Sequence, residues 1–132
     1  MKEHRQLIAV RTLPEQLDAS QQRALYRELE NCINVDRPAL VLDCSRLCRL
    51  DDGASHFLLC CLEEAIKRNG DVRLAALRPE ASKVFRSTGL DHLFQSFDSV
   101  ADAIESFRLP MLGFVQREQS AANQRPARDN AA

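Results

Sequence analysis

The sequence is poor in glycine, in long apolar runs and in charge of one sign. Its four glycines are scattered, so they form neither a GxGxxG fingerprint nor a phosphate-binding loop. No uncharged apolar run approaches the roughly 18 residues that a membrane-spanning helix needs. The first residues, MKEHRQLIAVRTL, also lack a small-residue cleavage site. We therefore expect a cytoplasmic protein that binds no nucleotide by a known motif and does not insert into a membrane.

Charge and cysteine content exclude two further classes of protein. The formal net charge is −1, so no large basic field exists that would condense onto nucleic acid, and nucleic-acid binding is disfavoured. The five cysteines are an odd number and lie mostly in apolar segments, which favours reduced core thiols in a reducing compartment over a disulfide framework. They are Cys32, Cys44, Cys48, Cys60 and Cys61.

A chain of 132 residues, 45% of them hydrophobic, can build one core but not two. We assign residues 1–108 to a single domain. The polar segment 116–132 lacks aromatic residues and is expected to be a disordered tail, because it cannot bury enough surface to offset its ordering entropy. The apolar segment 109–115, LPMLGFV, is expected to pack back on the domain; the alternative is a docking segment.

Segments with strand character alternate with segments of helical periodicity. This order predicts an α/β fold with a predominantly parallel sheet of about four strands, right-handed crossovers and four helices. The predicted strands are residues 6–13, 39–43, 71–77 and 93–97. The predicted helices are residues 19–33 with a cap at Asp18, 52–68, 80–87 between Pro79 and Gly89, and a last helix after Ser99.

The second predicted helix has two different faces. One broad arc is apolar and should face the sheet; it contains Ala54, Phe57, Leu58, Cys61, Leu62, Ala65 and Ile66. The opposite side carries residues at intervals of three and four, which we call the stripe: Gly53, His56, Cys60, Glu63 and Lys67. An ordinary solvated helix face and a surface for docking a partner both fit this pattern.

Reactive or metal-binding chemistry finds little support. Cys44, Cys48, His56 and Cys60 lack the paired Cys-x2-Cys knuckle of a zinc site, so we expect no metal site and no cofactor. His56 and Cys60 stand four residues apart, but nothing supplies an orienting third group or an oxyanion hole. The adjacent Asp51 and Asp52 should point apart at the start of a helix, which argues against an acid/base pair. No catalytic residue is assigned.

Four segments, taken in order, resemble the STAS domain of bacterial anti-sigma factor antagonists. They are VLDCS (41–45), LDDGA (50–54), KRNGDVRLA (67–75) and STGLDHLFQSFDSVADAI (87–104). The resemblance implies a mixed, mostly parallel sheet with four helices and no enzymatic activity. It also implies binding to an anti-sigma factor, usually a serine kinase, through the N-terminal end of the second helix, where Asp51 and Asp52 adjoin the stripe.

The chain departs from this family at the position that is usually phosphorylated. The family's second helix opens with Asp-Ser-Ser/Thr-Gly, and its second hydroxyl residue accepts phosphate. Asp51 matches the family aspartate, Asp52 replaces the first serine, Gly53 replaces the phosphorylated residue and Ala54 replaces the glycine. Glycine has no hydroxyl, so no serine phosphoswitch is expected. Ser55, the nearest hydroxyl, should lie on roughly the opposite side of the helix.

The two negative charges at this helix start have a structural explanation. A helix N-terminus exposes unpaired N–H groups and about half a positive charge, so we expect the Asp52 carboxylate to act as the N-cap. A bolder hypothesis is that this carboxylate partly imitates phosphate, although it carries less charge and fewer acceptor oxygens.

Two functions follow from the sequence. The first is a regulatory module that binds an anti-sigma factor or a related kinase-like partner. The alternative is a structural STAS subunit of a larger assembly, such as a stressosome-like scaffold or a lipid-transport ATPase. The missing hydroxyl favours the second function, whereas the absence of any transporter segment favours the first. The oligomeric state and the identity of the partner stay open.

Overall fold

The computed structural model of the protein describes residues 7–108. These residues form four strands, four α-helices and one short 3-10 turn. In chain order they are β1 (Ile8–Thr12), α1 (Ala19–Ile33), β2 (Ala39–Asp43), α2 (Asp52–Lys67), β3 (Asp71–Ala75), α3 (Pro79–Thr88), the 3-10 turn Leu90–His92, β4 (Ser96–Phe97) and α4 (Val100–Phe107).

The sheet has the strand order β1-β2-β3-β4, and every pairing between these strands is parallel. In register, Val10 lies opposite Val41, which lies opposite Arg73. Because each strand is followed by its neighbour in the same direction, right-handed crossovers bring α1, α2 and α3 to the same face. β2 is an inner strand because it pairs with β1 on one side and with β3 on the other. The α2 helix begins beyond the carboxyl end of β2.

The main core lies between the sheet and these three helices. It includes fully buried side chains from α1, β2 and α2, such as Leu29, Leu42 and Leu58, together with Phe85 of α3. Phe85 packs against Phe94 with ring centres 5.8 Å apart. The near-continuous burial of β2 and β3 is what strands covered on both faces require. This core fixes the inner face of α2.

The other face of the sheet is covered by α4 within residues 7–108. Val41, Ala75 and Ala103 are buried there, whereas Ile8 and Val10 of β1 are only half-buried. Arg73 is also nearly buried on this face. Its guanidinium donates hydrogen bonds to Asp71 Oδ2 at 3.0 Å and to Ser106 Oγ at 2.7 Å.

Helix ends follow the predicted capping chemistry at three positions. The Asp18 carboxylate accepts a hydrogen bond from the Gln21 N–H at 2.9 Å, and the Ser99 hydroxyl accepts one from the Asp102 N–H at 3.1 Å. Gly89 ends α3 with φ of 81°, the left-handed conformation that glycine adopts without a Cβ penalty. These caps confirm the helix boundaries inferred at those sites.

The predicted α/β fold with four strands and four helices is confirmed, and most differences concern the lengths of elements. The strands β1, β3 and β4 are shorter than predicted, and a 3-10 turn precedes β4. The placement of Ile66 on the core arc was wrong. Its side chain is 56% exposed, whereas the preceding Ala65 is fully buried, because a step of 100° around the helix puts Ile66 at the edge of the arc. The apolar segment 109–115 and the polar segment 116–132 lie outside the described residues.

No helix within residues 7–108 is long and apolar enough to cross a membrane.

Candidate functional site

A short loop carries the chain from the end of β2 to the start of α2. Cys44, Leu47 and Leu50 anchor it because their side chains are buried. The Cys44 N–H donates to Ala75 O at 2.8 Å, and the Cys48 N–H donates to Glu15 O at 2.9 Å. Burial raises the pKa of the Cys44 thiol to about 12, so this side chain is a neutral part of the core. The loop therefore holds the first turn of α2 in a defined position.

Asp51, and not Asp52, is the N-cap of α2. Its Oδ1 accepts a hydrogen bond of 2.8 Å from the Ala54 N–H, and its own backbone is extended. The Asp51 carbonyl accepts from the Ser55 N–H at 2.9 Å. The expectation that Asp52 caps the helix was wrong because a cap must stand before the first helical residue, and the helix begins one residue earlier than that expectation required.

Asp52 lies in the first turn of α2 and is exposed. A carboxylate at this place is favoured by the positive end of the helix dipole by roughly 0.3 to 1 kcal/mol. Asp51 and Asp52 together put two carboxylates at one helix terminus. The negative charge that was expected there is present, although the two residues divide the roles differently from the prediction.

Gly53 is exposed, and its backbone does not require glycine. A Cβ added there would lie 3.6 Å from Asp51 Oδ1 and 3.6 Å from Gln22 Nε2, which are ordinary contacts. Gln22 belongs to α1, and its Nε2 donates to Leu17 O at 2.7 Å. The start of α2 therefore lies beside the start of α1. A serine would fit at position 53, so the absence of a hydroxyl there is not forced by the fold.

The stripe lies on the outer side of α2. Gly53, His56, Glu63 and Lys67 are exposed, and Cys60 is half-buried. The arc opposite is buried in the main core, except for Ile66. One helix therefore presents a packed face to the sheet and a polar, accessible face to solvent. Binding of a partner to this face stays a prediction.

Three contacts organise side chains along the outer side of α2. His56 Nε2 lies 3.5 Å from Cys60 Sγ, one helical turn away. Farther along, Glu64 Oε1 accepts a hydrogen bond from Arg68 at 3.0 Å, and Glu64 Oε2 accepts one from Lys67 at 3.2 Å. Both hydrogen bonds lower the pKa of Glu64, and the bond from Arg68 has the larger effect. Lys67, at the far end of the stripe, therefore forms an ion pair with Glu64.

Ser55 lies away from the stripe. It is half-buried, two residues beyond Gly53, which corresponds to a rotation of about 200° around the helix. A kinase active site placed over Gly53 would meet the opposite side of the helix from the Ser55 hydroxyl. That Ser55 is a poor substitute for the family acceptor stays a prediction.

The four residues weighed as zinc ligands are not brought together as one site. Among residues 7–108, no group of three or more His, Cys, Asp or Glu side chains is arranged to hold a metal ion. Cys44 is buried and Cys48 is exposed on the loop, whereas only His56 and Cys60 are in contact. The Cys61 thiol, next in the chain, is buried and its pKa is raised to about 12 by that burial.

Sequence reasoning missed two neighbours of the α2 start. Gln22 reaches it from α1, and Arg78 donates a hydrogen bond to Ser45 O in the preceding loop at 3.3 Å. Both contacts join residues that are far apart in the chain. Periodicity and motif spacing carry no signal for them, because such patterns report only local structure.

Comparisons with known proteins agree with this architecture. The family profile described as "STAS domain" matches residues 1–103. A search of curated protein sequences found no match to this chain.

Solved structures with the same fold come from several bacteria. A candidate anti-sigma factor antagonist from Thermotoga maritima is 15% identical, with a TM-score of 0.63, over 76% of this chain and 81% of that one. An anti-sigma-factor antagonist (STAS) domain protein from Planctomyces limnophilus is 11% identical, with a TM-score of 0.62, over 72% and 86%. The STAS domain of a SulP transporter from Vibrio cholerae is 15% identical, with a TM-score of 0.62, over 86% and 84%. At these identities the likeness concerns the fold.

Proposed function

The chain belongs to the STAS domain family, and we propose that it is a non-enzymatic, cytoplasmic module that binds an anti-sigma factor or a related kinase-like protein. The surface proposed for this contact is the N-terminal end of α2, formed by Asp51, Asp52 and the stripe. The observation that carries the proposal is the division of α2 into a buried face and an accessible one. A partner can contact such a face without disturbing the core.

The charge at this surface suggests how a partner would recognise it. Asp51 and Asp52 place two exposed carboxylates at one end, and the Glu63 carboxylate lies about three turns farther along. Opposite charge across an interface steers association and fixes its register. We therefore expect the partner to present Lys or Arg side chains toward the start of α2.

The same surface is proposed to lack the serine phosphoswitch of the family. Gly53 stands at the family's acceptor position and has no oxygen to phosphorylate. Asp52 beside it supplies a permanent negative charge, smaller than that of phosphate. In this proposal, the amount or the state of the partner sets how much complex forms, and phosphorylation of this chain does not.

The proposal is tested by affinity capture with the full chain as bait and identification of the recovered proteins by mass spectrometry. Recovery of a kinase-type anti-sigma factor, reproduced with the two purified proteins by calorimetry, supports it. Failure of every kinase-type anti-sigma factor of the source organism to bind the purified chain would contradict it.

A structural role in a larger assembly is the second candidate. The observation in its favour is the common fold with the STAS domain of a SulP transporter, together with the missing acceptor hydroxyl. In this case the same capture experiment recovers a membrane transporter, a lipid-transport ATPase or stressosome-like scaffold subunits. The recovered complex would then have a fixed stoichiometry that does not respond to ATP.

A further inference from the structure

His56 and Cys60 belong to the stripe, but the contact between these two side chains has no part in the function proposed above. The Nε2 atom of His56 and the Sγ atom of Cys60 are 3.5 Å apart on successive turns of α2. His56 is exposed and Cys60 is half-buried, so both atoms lie at an accessible surface. The thiols of Cys32, Cys44 and Cys48 each lie at a backbone carbonyl instead, and Cys61 is buried.

The distance between these two atoms matches the separation of a sulfur and a nitrogen ligand bound to one zinc ion. In protein sites Zn²⁺ binds sulfur at about 2.3 Å and imidazole nitrogen at about 2.0 to 2.1 Å, with tetrahedral angles. Two such bonds meeting at a tetrahedral angle put the sulfur and the nitrogen about 3.5 Å apart. The His56 and Cys60 donor atoms have this separation. Imidazole nitrogen and thiolate sulfur are also the donor set that favours zinc over magnesium or calcium.

We propose that His56 and Cys60 form a two-residue chelate for Zn²⁺ on the exposed face of α2. On binding, the Cys60 thiol releases its proton to solvent and a sulfur–zinc bond forms. The neutral His56 ring donates the Nε2 lone pair and keeps its proton on Nδ1. Zinc is neither oxidised nor reduced, and one proton is released for each ion bound.

The rest of this chain leaves the coordination incomplete. Because no cluster of three or more ligating side chains occurs within residues 7–108, two positions on the ion are left for water or for side chains of another molecule. The site therefore differs from the four-ligand zinc site that the sequence argued against. It is an open site on the surface, and the fold does not need it. It does not depend on the proposed function, although a bound ion would lie within the proposed contact surface.

Titration with Co²⁺, as a spectroscopic probe for Zn²⁺, tests the chelate in the full-length, reduced protein. We expect a near-ultraviolet sulfur-to-cobalt charge-transfer band that saturates at one ion per chain and disappears when Zn²⁺ is added. Cys60→Ser should abolish the band. His56→Ala should raise the half-saturating Co²⁺ concentration by about tenfold or more, the change that loss of one ligand worth about 1.4 kcal/mol gives.

Two control variants separate this pair from ordinary surface groups. Cys48→Ser removes an exposed thiol that hydrogen-bonds only Arg46 O, and His92→Ala removes an exposed imidazole beside Asp91. Both should leave the band and its midpoint unchanged. Circular dichroism verifies that all four variants are folded. A wild-type protein without the band, or a band that persists at full strength in Cys60→Ser, would overturn the chelate whatever partner the protein binds.

Discussion

The guanidinium carbon of Arg73 lies 4.0 Å from the centre of the Phe107 ring. This contact joins β3 to α4, and the bonds of Arg73 to Asp71 and Ser106 reinforce it. A cation over an aromatic face contributes about 0.5 to 2 kcal/mol, more when water is excluded. Arg73 thus links β3 to α4, which is the one helix among the described residues that covers the second face of the sheet.

Removal of the Arg73 side chain should destabilise the domain. We expect Arg73→Ala to lower the free energy of unfolding by about 3 kcal/mol, because it leaves a largely buried Asp71 carboxylate without its ion pair. Urea denaturation measures the change. Arg86→Ala, at an exposed position on α3, is the matched control and should stay within about 0.5 kcal/mol of wild type. Equal effects of the two substitutions would show that Arg73 has no special structural role.

Alanine should have opposite effects at two glycines. An added Cβ at Gly70 would overlap the carbonyl oxygen of Pro38, which is backbone and cannot rotate away. Gly70→Ala should therefore lower the free energy of unfolding by about 2 kcal/mol or more. Gly53→Ala, in a helix with room for the Cβ, should raise it by about 0.5 to 1 kcal/mol. Thermal denaturation of both variants checks the signs; destabilisation by Gly53→Ala would contradict the open geometry at that position.

A charge reversal on the stripe should weaken partner binding while leaving the fold intact. Glu63→Arg changes an exposed side chain in the proposed contact surface, so its effect should appear as a loss of affinity of about tenfold or more in calorimetry with the purified partner. Replacement of Cys60 by a bulky charged residue should act in the same direction.

The control for the stripe lies on another helix. The double variant Arg23→Ala/Arg27→Ala alters exposed residues of α1 and should bind like wild type. If Glu63→Arg unfolds the protein, or if the α1 variant weakens binding equally, the contact surface has been placed wrongly.

Phosphate should not be transferred to the wild-type chain at the start of α2. After incubation with the cognate kinase and ATP, intact-mass spectrometry should show no added phosphate, because Gly53 has no hydroxyl and Ser55 faces away. The double variant Asp52→Ser/Gly53→Ser should gain one phosphate, since a side chain fits at position 53. Stoichiometric phosphate on Ser55 with loss of binding would overturn the prediction. If the double variant stays unmodified, the partner kinase has also departed from the family pattern.

Alkaline pH should destabilise the fold through its buried thiols. The pKa of Cys44 and that of Cys61 are both raised from 9.0 to about 12 by burial. Between these values the unfolded chain loses the thiol protons and the folded chain keeps them. Stability is therefore fully retained below about pH 9 and falls as pH rises toward 12, by about 1.4 kcal/mol per pH unit for each thiol.

Urea denaturation of reduced protein at pH 8, 9 and 10 measures this slope. Cys44→Ala should be less stable than wild type at pH 8 because it leaves a cavity, but its stability should fall less steeply above pH 9. Cys48→Ser, an exposed thiol, should keep the wild-type slope. An unchanged slope in Cys44→Ala would mean that this thiol does not stay protonated in the folded state.

The sequence predicted elements well where one local rule acted without competition. The bounds of α1 followed from its capping aspartate and apolar period, and those of β2 from a continuous apolar run. Prediction failed where two neighbours competed for one role. Asp51 and Asp52 are both suited to cap α2, and the choice between them depends on where the loop from β2 delivers the chain.

Long-range packing was the other source of error. Nothing in the local sequence of β3 showed that Ser106 and Phe107 of α4 would enclose Arg73. Ile66 lies at the edge of the apolar arc of α2, and the helical period alone does not fix whether a side chain at that edge is covered. The stripe was identified correctly as an accessible face, because a helical wheel needs only the period of the helix and the position of its apolar side.

The single-helix cover on the second face determines how far the protein can be shortened. A fragment ending at Asp98 would keep all four strands and the three helices of the main core, yet it would expose Val41 and Ala75 and leave Arg73 without Ser106 and Phe107. Two-sided burial is what makes a parallel sheet viable. The smallest independently folding unit must therefore extend through Phe107, although the proposed contact surface ends forty residues earlier at Lys67.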